Sequence, residues 1–385
     1  MNVDYFAVKG RLLLPNVNRD KLRIAPGGVP GRGREPTKRC TPWGASQRYL
    51  GGVKRLFALL GILAALAGLA PLETRAWGFF AHQRINRLAV YTLPPELFGF
   101  YKRHIVYVTE HATDPDSRRT VVVEEAPRHY IDLDCKAYVH AVHSDSTAWK
   151  LPRYWKDAVA LVSEDTLNAY GIVPWHAYFV KYQLTEAFKQ RDLPRILKLS
   201  ADLGHYLADA CVPLHTSENY NGQFTNQRGI HGLWESRLPE LLAGNYDFFV
   251  GPAPYLPKPQ LTIWDAVISS HRAVDSVFVF ERDASAKLGD DRKYGFEERN
   301  NATIRTYSRP YVDEYHKMLN GQVERQMRRA IKLVGAMWYT AWVDAGQPAL
   351  DNMPGELTPA QQQEIAAEQQ LLRQGGAVKP RQEHE

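Results

Sequence analysis

Cysteine is nearly absent from this chain of 385 residues: only Cys40, Cys135 and Cys211 occur. That scarcity excludes a disulfide-dense scaffold. Cys40 falls in a leader described below, so the body carries either one Cys135–Cys211 disulfide or two isolated buried thiols. Long hydrophobic runs are also lacking. The apolar run Leu56–Ala70 has 15 residues, fewer than the roughly 20 a membrane-spanning helix needs. No alternating strand runs bounded by hairpin turns are evident, and no internal repeat, which argues against sandwich, barrel and solenoid architectures. The body has no excess of positive charge either. Residues 1–76 hold 13 Lys and Arg against 4 Asp and Glu, and the remainder holds 35 basic against 38 acidic residues. The net charge of +6 and the pI near 9.0 therefore belong to the leader and do not predict a polyanion-binding surface.

The leader has internal structure. Lys54 and Arg55 precede the apolar run, and Thr74-Arg75-Ala76 follows it as a small-x-small cleavage signature. Residues 53–76 thus read as a secretory signal peptide cut after Ala76, which directs the product to the periplasm or the exterior. Residues 1–52 are rich in Arg, Gly and Pro without usable periodicity, as expected of a disordered or non-native segment. Translation is expected to begin near Val53, which an alternative GTG start codon can encode. The mature chain then has no transmembrane segment. Residues 77–350 form the expected domain, and residues 351–385, Gln- and Glu-rich and then basic, a loose polar tail.

The body reads as one all-α domain. "HQRINRLAVYTL" places Ile85, Leu88 and Ala89 at helical spacing, and "PPELFGFYKRHIVYVTEHA" opens with proline at a helix start. Further helices are expected at about 153–170, 175–190, 193–211, 231–245 and 261–280. "YHKMLNGQVERQMRRAIKLVGAMWYTAWVDAG" reads as one long amphipathic helix ending at Gly346.

The chemistry concentrates in "LGHYLADACVPLHTSENYNG". His205 and Asp209 lie four apart, on one face of a helix that Pro213 ends, and His215 follows on the exit. Sixteen residues on, "GIHGLWES" repeats the device with His231 and Glu235. Imidazole and carboxylate pairs at this spacing converge on one point, as zinc ligands do. Upstream, Asp114 and Asp116 flank Pro115 on an expected turn, with His129 thirteen residues after Asp116. Asp132 and Asp134 alternate with Ile131 and Leu133, which suggests a solvated edge or a capping role. His104, His140, His176 and His271 have no partner at ligand spacing and read as structural.

These elements resemble a known superfamily, the secreted zinc-dependent phospholipases C and the single-strand-specific zinc nucleases of fungi and plants. The matching residues are Trp77 with His82, the Asp116–His129 segment, His205-x-x-x-Asp209-x-x-x-x-x-His215 and His231-x-x-x-Glu235. The resemblance covers Trp77 to about Gly346 and implies an all-α fold around three zinc ions. One ion would be held by Asp116, His129, His205 and Asp209, a second by His215, His231 and Glu235. The third would use His82, Asp209 as a bridge, and the α-amine and carbonyl of Trp77. Cleavage before Trp77 would turn an amide into an amine with a pKa of about 8 that a metal can bind. Asp116 would orient or deprotonate the attacking water. Arg118 and Arg128 are candidate phosphate contacts, although solvated arginines are the simpler expectation. Tyr220 and Phe224, in the loop "TSENYNGQFTNQRG", are candidate base or headgroup contacts.

The resemblance is mixed in its details. The His five residues after Trp77, the Pro-Leu-His at 213–215 and Trp234 look like the nucleases. Glu235 as last ligand, Pro115-Asp116 and the short interval to His129 look like the phospholipases. The expected function is a secreted phosphodiester hydrolase acting on single-stranded nucleic acid or nucleotides. The alternatives are a phospholipase C acting on phospholipid headgroups and a zinc-stabilised binding protein without turnover. No protein partner is inferred.

Overall fold

The computed structural model describes residues 78–299, 302–354 and 356–374. The leader, the signal peptide and Trp77 lie outside the described residues. The chain enters as α1 (Gly78–Ala89), passes a 3-10 turn at Val90–Thr92, and continues as α2 (Pro95–Arg103), α3 (Ile105–Glu110) and α4 (Asp114–Arg119). A 3-10 turn at Ala126–Arg128 precedes four short helices, α5 (Lys136–Val142), α6 (Thr147–Lys150), α7 (Trp155–Val162) and α8 (Glu164–Tyr170).

Two long helices follow, α9 (Val173–Gln190) and α10 (Leu193–Asp209). Arg191 joins them at a left-handed φ of 52°. Asp192 then starts α10 by accepting the Arg195 N–H at 3.2 Å. After a 3-10 turn at Pro213–Thr216, a helical stretch runs as α11 (Ile230–Gly232), a π turn (Leu233–Arg237) and α12 (Leu238–Leu242). The chain closes with α13 (Pro259–His271), α14 (Val274–Leu288), the hairpin β1 (Tyr294–Arg299) and β2 (Ala302–Tyr307), then α15 (Arg309–Leu319), α16 (Gln322–Asp344) and α17 (Pro359–Gln374). The fold is all-α apart from this hairpin, and no described helix is long and apolar enough to cross a membrane.

α10 is the axis of the domain and packs against α9, α16, α1 and α3. From Ser200 to Asp209 every residue of α10 is buried, polar ones included. A helix buried all round is normally apolar throughout, so Asp202, His205 and Asp209 must each be satisfied by partners. Packing fixes the axis on one side through Trp338, whose ring stacks on Tyr101 with centroids 4.6 Å apart. Trp338 also donates its indole N–H to the Ser200 carbonyl at 3.0 Å. On the other side Asn86 donates to the carbonyls of Val108 and Ala201, each at 3.1 Å, and so ties α1 to α3 and α10.

The structure departs from the sequence-based expectation in several places. A hairpin exists where no strand was expected, with Tyr294 opposite Tyr307 and Arg299 opposite Ala302. Its outer face is exposed at Phe296, Glu298, Thr303 and Arg305, so polar residues fall on both faces and blur the period-2 signal. The expected long C-terminal helix is two helices, because Asn320 and Gly321 both take left-handed φ values, 46° and 74°. The stretches at 153–170 and 261–280 also break, the first at Ser163, whose φ is 76°. Asp114 and Asp116 sit on a short helix with proline at its start rather than on a turn. Met353 is buried in the core together with Leu350, so the packed body runs a few residues past the boundary expected at residue 350. In place of a wholly loose tail, α17 leans on the domain, with Lys198 paired to Glu368 at 2.5 Å. Of the two alternatives left open for Cys135 and Cys211, the structure shows the buried free thiols.

Gly204 lets α10 lie close against Asn86 of α1. A Cβ added there would stand 2.0 Å from Asn86 Oδ1. Gly204→Ala is therefore expected to destabilise the fold by about 1–3 kcal/mol, the usual range for overpacking, read as a lower urea midpoint. An unchanged midpoint would show that α1 and α10 are not held at this distance.

Candidate metal centre

Six chain segments bring eight ligand-type side chains to one end of α10. α1 supplies His82, α4 supplies Asp116, and the residue after the Ala126–Arg128 turn is His129. α10 supplies His205 and Asp209 from its last turns, the Pro213–Thr216 turn supplies His215, and the α11–π segment supplies His231 and Glu235. The helical spacing of His205 and Asp209 holds as expected. His231 and Glu235 also meet, but through a π turn, a local winding that recurs at functional sites. Among the described residues the ligand atoms form three groups: His82, His205 and Asp209; Asp116, His129 and His205; His215, His231 and Glu235.

The distances define the geometry. His129 Nδ1 and His205 Nε2 are 3.0 Å apart, and Asp209 Oδ2 lies 3.0 Å from the first and 3.2 Å from the second. Asp116 Oδ1 stands 3.6 Å from His205 Nε2. In the next group the Nε2 atoms of His215 and His231 are 3.2 Å apart, with Glu235 Oε2 at 3.3 and 2.7 Å. His82 Nε2 faces Asp209 Oδ1 and Glu235 Oε1, each at 3.4 Å. Asp209 thus shows one oxygen to His82 and the other to His129 and His205.

Hydrogen bonds behind the rings decide which nitrogens are available. His205, His215 and His231 place Nδ1 against the carbonyls of Ala112, His129 and Tyr220 at 2.8, 2.6 and 3.1 Å. A carbonyl only accepts, so each Nδ1 carries the proton and each neutral ring presents an Nε2 lone pair to the cluster. His215 and His231 therefore aim two lone pairs at each other, beside a carboxylate, in a site shut off from water. Such an arrangement repels unless a proton or a metal ion stands between the donors. The donor set fits a metal ion, and the backing hydrogen bonds are those that orient metal-bound imidazoles.

Electrostatics agree with this picture. Burial alone would raise the Asp209 and Glu235 carboxyls, but the His205 imidazole beside the first and the His215 imidazole beside both outweigh it and hold them well below the usual range. The carboxylates thus favour a positive charge, a proton or a metal ion, among these rings. Burial would lower His205, but Asp209 and Asp116 prevail and raise it to about 9. Asp116, with 18% of its side chain exposed, is the most accessible ligand, and its carboxyl is also lowered against burial by His205, His129 and His82.

No family model matches the chain, and neither does any curated protein.

Other candidates fall outside the cluster. Arg118 is neither solvated nor free: it pairs with Asp202 at 2.9 Å and Glu125 at 3.5 Å. Arg128 pairs with Glu125 at 2.6 Å. Tyr220 contributes its carbonyl to His231, while the Phe224 ring is 67% exposed at the tip of its loop. Asp132 is buried rather than solvated, whereas Asp134 caps the loop after His215 by accepting from Ser217 Oγ at 2.6 Å and Glu218 N–H at 2.7 Å. His104, His140, His176 and His271 join none of the three ligand groups. Glu125 and Tyr206, which pack behind His129, were missed by the sequence reading. The available signal was the spacing Glu125-x-x-x-His129, the same four-residue offset as the recognised pairs.

A metal ion needs the neutral imidazole, so binding must expel the His205 proton. The sign follows from the raised pKa. His205 stabilises the metal-free fold fully below its ordinary value of 6.5 and loses that contribution as the pH climbs through about 9. Affinity for a divalent metal ion is thus expected to rise over the same window, with proton release seen by calorimetry in buffers of different ionisation enthalpy. Affinity independent of pH, without proton release, would contradict the assignment.

Proposed function

We propose that this chain is a secreted zinc-dependent phosphodiester hydrolase of the superfamily its motifs resemble, acting on single-stranded nucleic acid or nucleotides. The observation that carries this reading is the convergence of three ligand groups, two of which share His205, with Asp209 set between His82 and the His129–His205 pair, beside an accessible carboxylate, Asp116. Three zinc ions are proposed, the third completed by the amine of Trp77 after cleavage. When bound, such ions supply Lewis-acid activation of water and neutralise charge on a phosphoryl group.

The residues of the chain do the rest. Asp116 is ionised and partly exposed, so it can orient a water molecule and accept its proton. Asp209 holds two ligand groups in register through its two oxygens. Glu235 does the same between His82 and the His215–His231 pair. Burial of the remaining ligands keeps bulk water from competing with the substrate. Glu235 as last ligand favours the second reading, a phospholipase C, which shares all of this chemistry and differs in what it binds.

The test uses protein cleaved before Trp77 and loaded with zinc, assayed in parallel on single-stranded DNA, RNA and phosphatidylcholine. Hydrolysis of the nucleic acids is expected, and Asp116→Asn should reduce it by about 10²–10⁴-fold. Turnover of lipid alone would move the assignment to the phospholipase, and no turnover of any phosphodiester would favour a zinc-stabilised binding protein. A companion variant with one residue added before Trp77 is expected to lose one zinc ion and most activity. Unchanged zinc content in that variant would remove Trp77 from the centre.

A further inference from the structure

The imidazoles of the cluster are held from behind in two different ways. His205, His215 and His231 lean on neutral main-chain carbonyls, at 2.8, 2.6 and 3.1 Å. His129 is reversed: its Nδ1 faces the cluster and its Nε2, fully buried, faces a side chain. That side chain is Glu125, one helical offset upstream, with Oε1 3.8 Å from Nε2.

Glu125 is itself 1% exposed and is held on all sides. Tyr206 donates its hydroxyl to Oε1. Arg128 donates to Oε2 at 2.6 Å, and Arg118, anchored on Asp202 at 2.9 Å, stands 3.5 Å away. Tyr206 also sets its ring edge-on to His129, with centroids 5.5 Å apart. A buried carboxylate is costly unless such partners compensate it. Here the partners hold it at the outer edge of one ligand ring.

We infer that Glu125 is the positioning residue of His129. Nε2 makes no hydrogen bond in this structure. Glu125 Oε1, 3.8 Å away, belongs to the carboxylate that a closure of about 1 Å would bring to hydrogen-bond length, so that Glu125 would accept the Nε2 proton. It thereby keeps the lone pair on Nδ1, which faces Asp209 Oδ2 and His205 Nε2, each at 3.0 Å. A carboxylate behind an imidazole also raises its basicity, which a carbonyl does less strongly. His129 is the right place for such a device, because its own carbonyl holds His215 in a different ligand group. The Arg118 and Arg128 guanidinium groups, candidates for phosphate contacts by sequence, act instead as the clamps on Glu125. This inference rests on the metal-centre reading and does not depend on the substrate.

The test measures zinc affinity of the full protein by competition with a chelator of known affinity, alongside thermal unfolding. Glu125→Gln is expected to weaken one zinc ion by about 10–100-fold, the usual effect of losing an outer carboxylate, while the other ions keep their affinity. Asp202→Asn loosens one of the two arginine clamps without touching His129 or Glu125 and should lower thermal stability while weakening zinc far less than Glu125→Gln does. Should Glu125→Gln fail to fold, nitrogen NMR of the zinc-loaded wild type decides: the His129 proton is expected on Nε2, with the downfield shift of a carboxylate-bonded proton. Undiminished zinc affinity in folded Glu125→Gln, or a His129 proton on Nδ1, would overturn the inference. A wild type that takes up no zinc would overturn it together with the metal-centre reading, a distinguishable result.

Discussion

Two imidazole nitrogens, His215 Nε2 and His231 Nε2, face each other at 3.2 Å with their outer nitrogens already committed to carbonyls. Neutral rings in that arrangement repel, and the carboxylate of Glu235 beside them adds charge that burial penalises. The same conflict recurs where His129 and His205 meet Asp209. The rest of the domain is arranged to hold these groups against their own repulsion. α10 is buried around its whole circumference from Ser200 to Asp209, and Trp338 and Asn86 hold it through the Ser200 and Ala201 carbonyls. A cation between the donors turns each repulsion into an attraction, which makes a metal ion the economical resolution.

Rigidity and function meet in the carbonyls. Ala112, His129 and Tyr220 belong to a 3-10 turn, a turn exit and a loop, and each spends its carbonyl on a ligand ring. The loop that carries Tyr220 is itself fixed: Asn221 Oδ1 accepts the Gly229 N–H at 2.9 Å, and Gln227 bridges Phe278 and the buried Glu281 at 2.8 and 2.6 Å. The irregular segments between helices therefore serve as the outer wall of the centre, and their hydrogen bonds select the ligand nitrogens.

The eight clustered side chains could each be singled out in the sequence, four of them because helical spacing is a local signal. His205 with Asp209, and His231 with Glu235, announce themselves by their four-residue offset. Asp116 and His129 stood out as further residues of the same chemistry, whereas His82 came through resemblance, since nothing local links it to α10. What escaped was either weakly patterned or non-local. The hairpin at 294–307 carries polar residues on both faces, and the break at Asn320–Gly321 depends on left-handed backbone that the amphipathic stripe on either side conceals. Arg118 was misjudged because its partners, Glu125 and Asp202, are separated from one another by 77 positions in the chain. The backing carbonyls were invisible, since every residue has one and only the fold says which are used.

The most direct measurement is an anomalous-difference map collected at the zinc edge from crystals of the zinc-loaded protein. The account predicts peaks bounded by Asp116, His129, His205 and Asp209 and by His215, His231 and Glu235, with a further peak beside His82. A map with no peak among these residues, in crystals where the side chains keep the positions described, would contradict it.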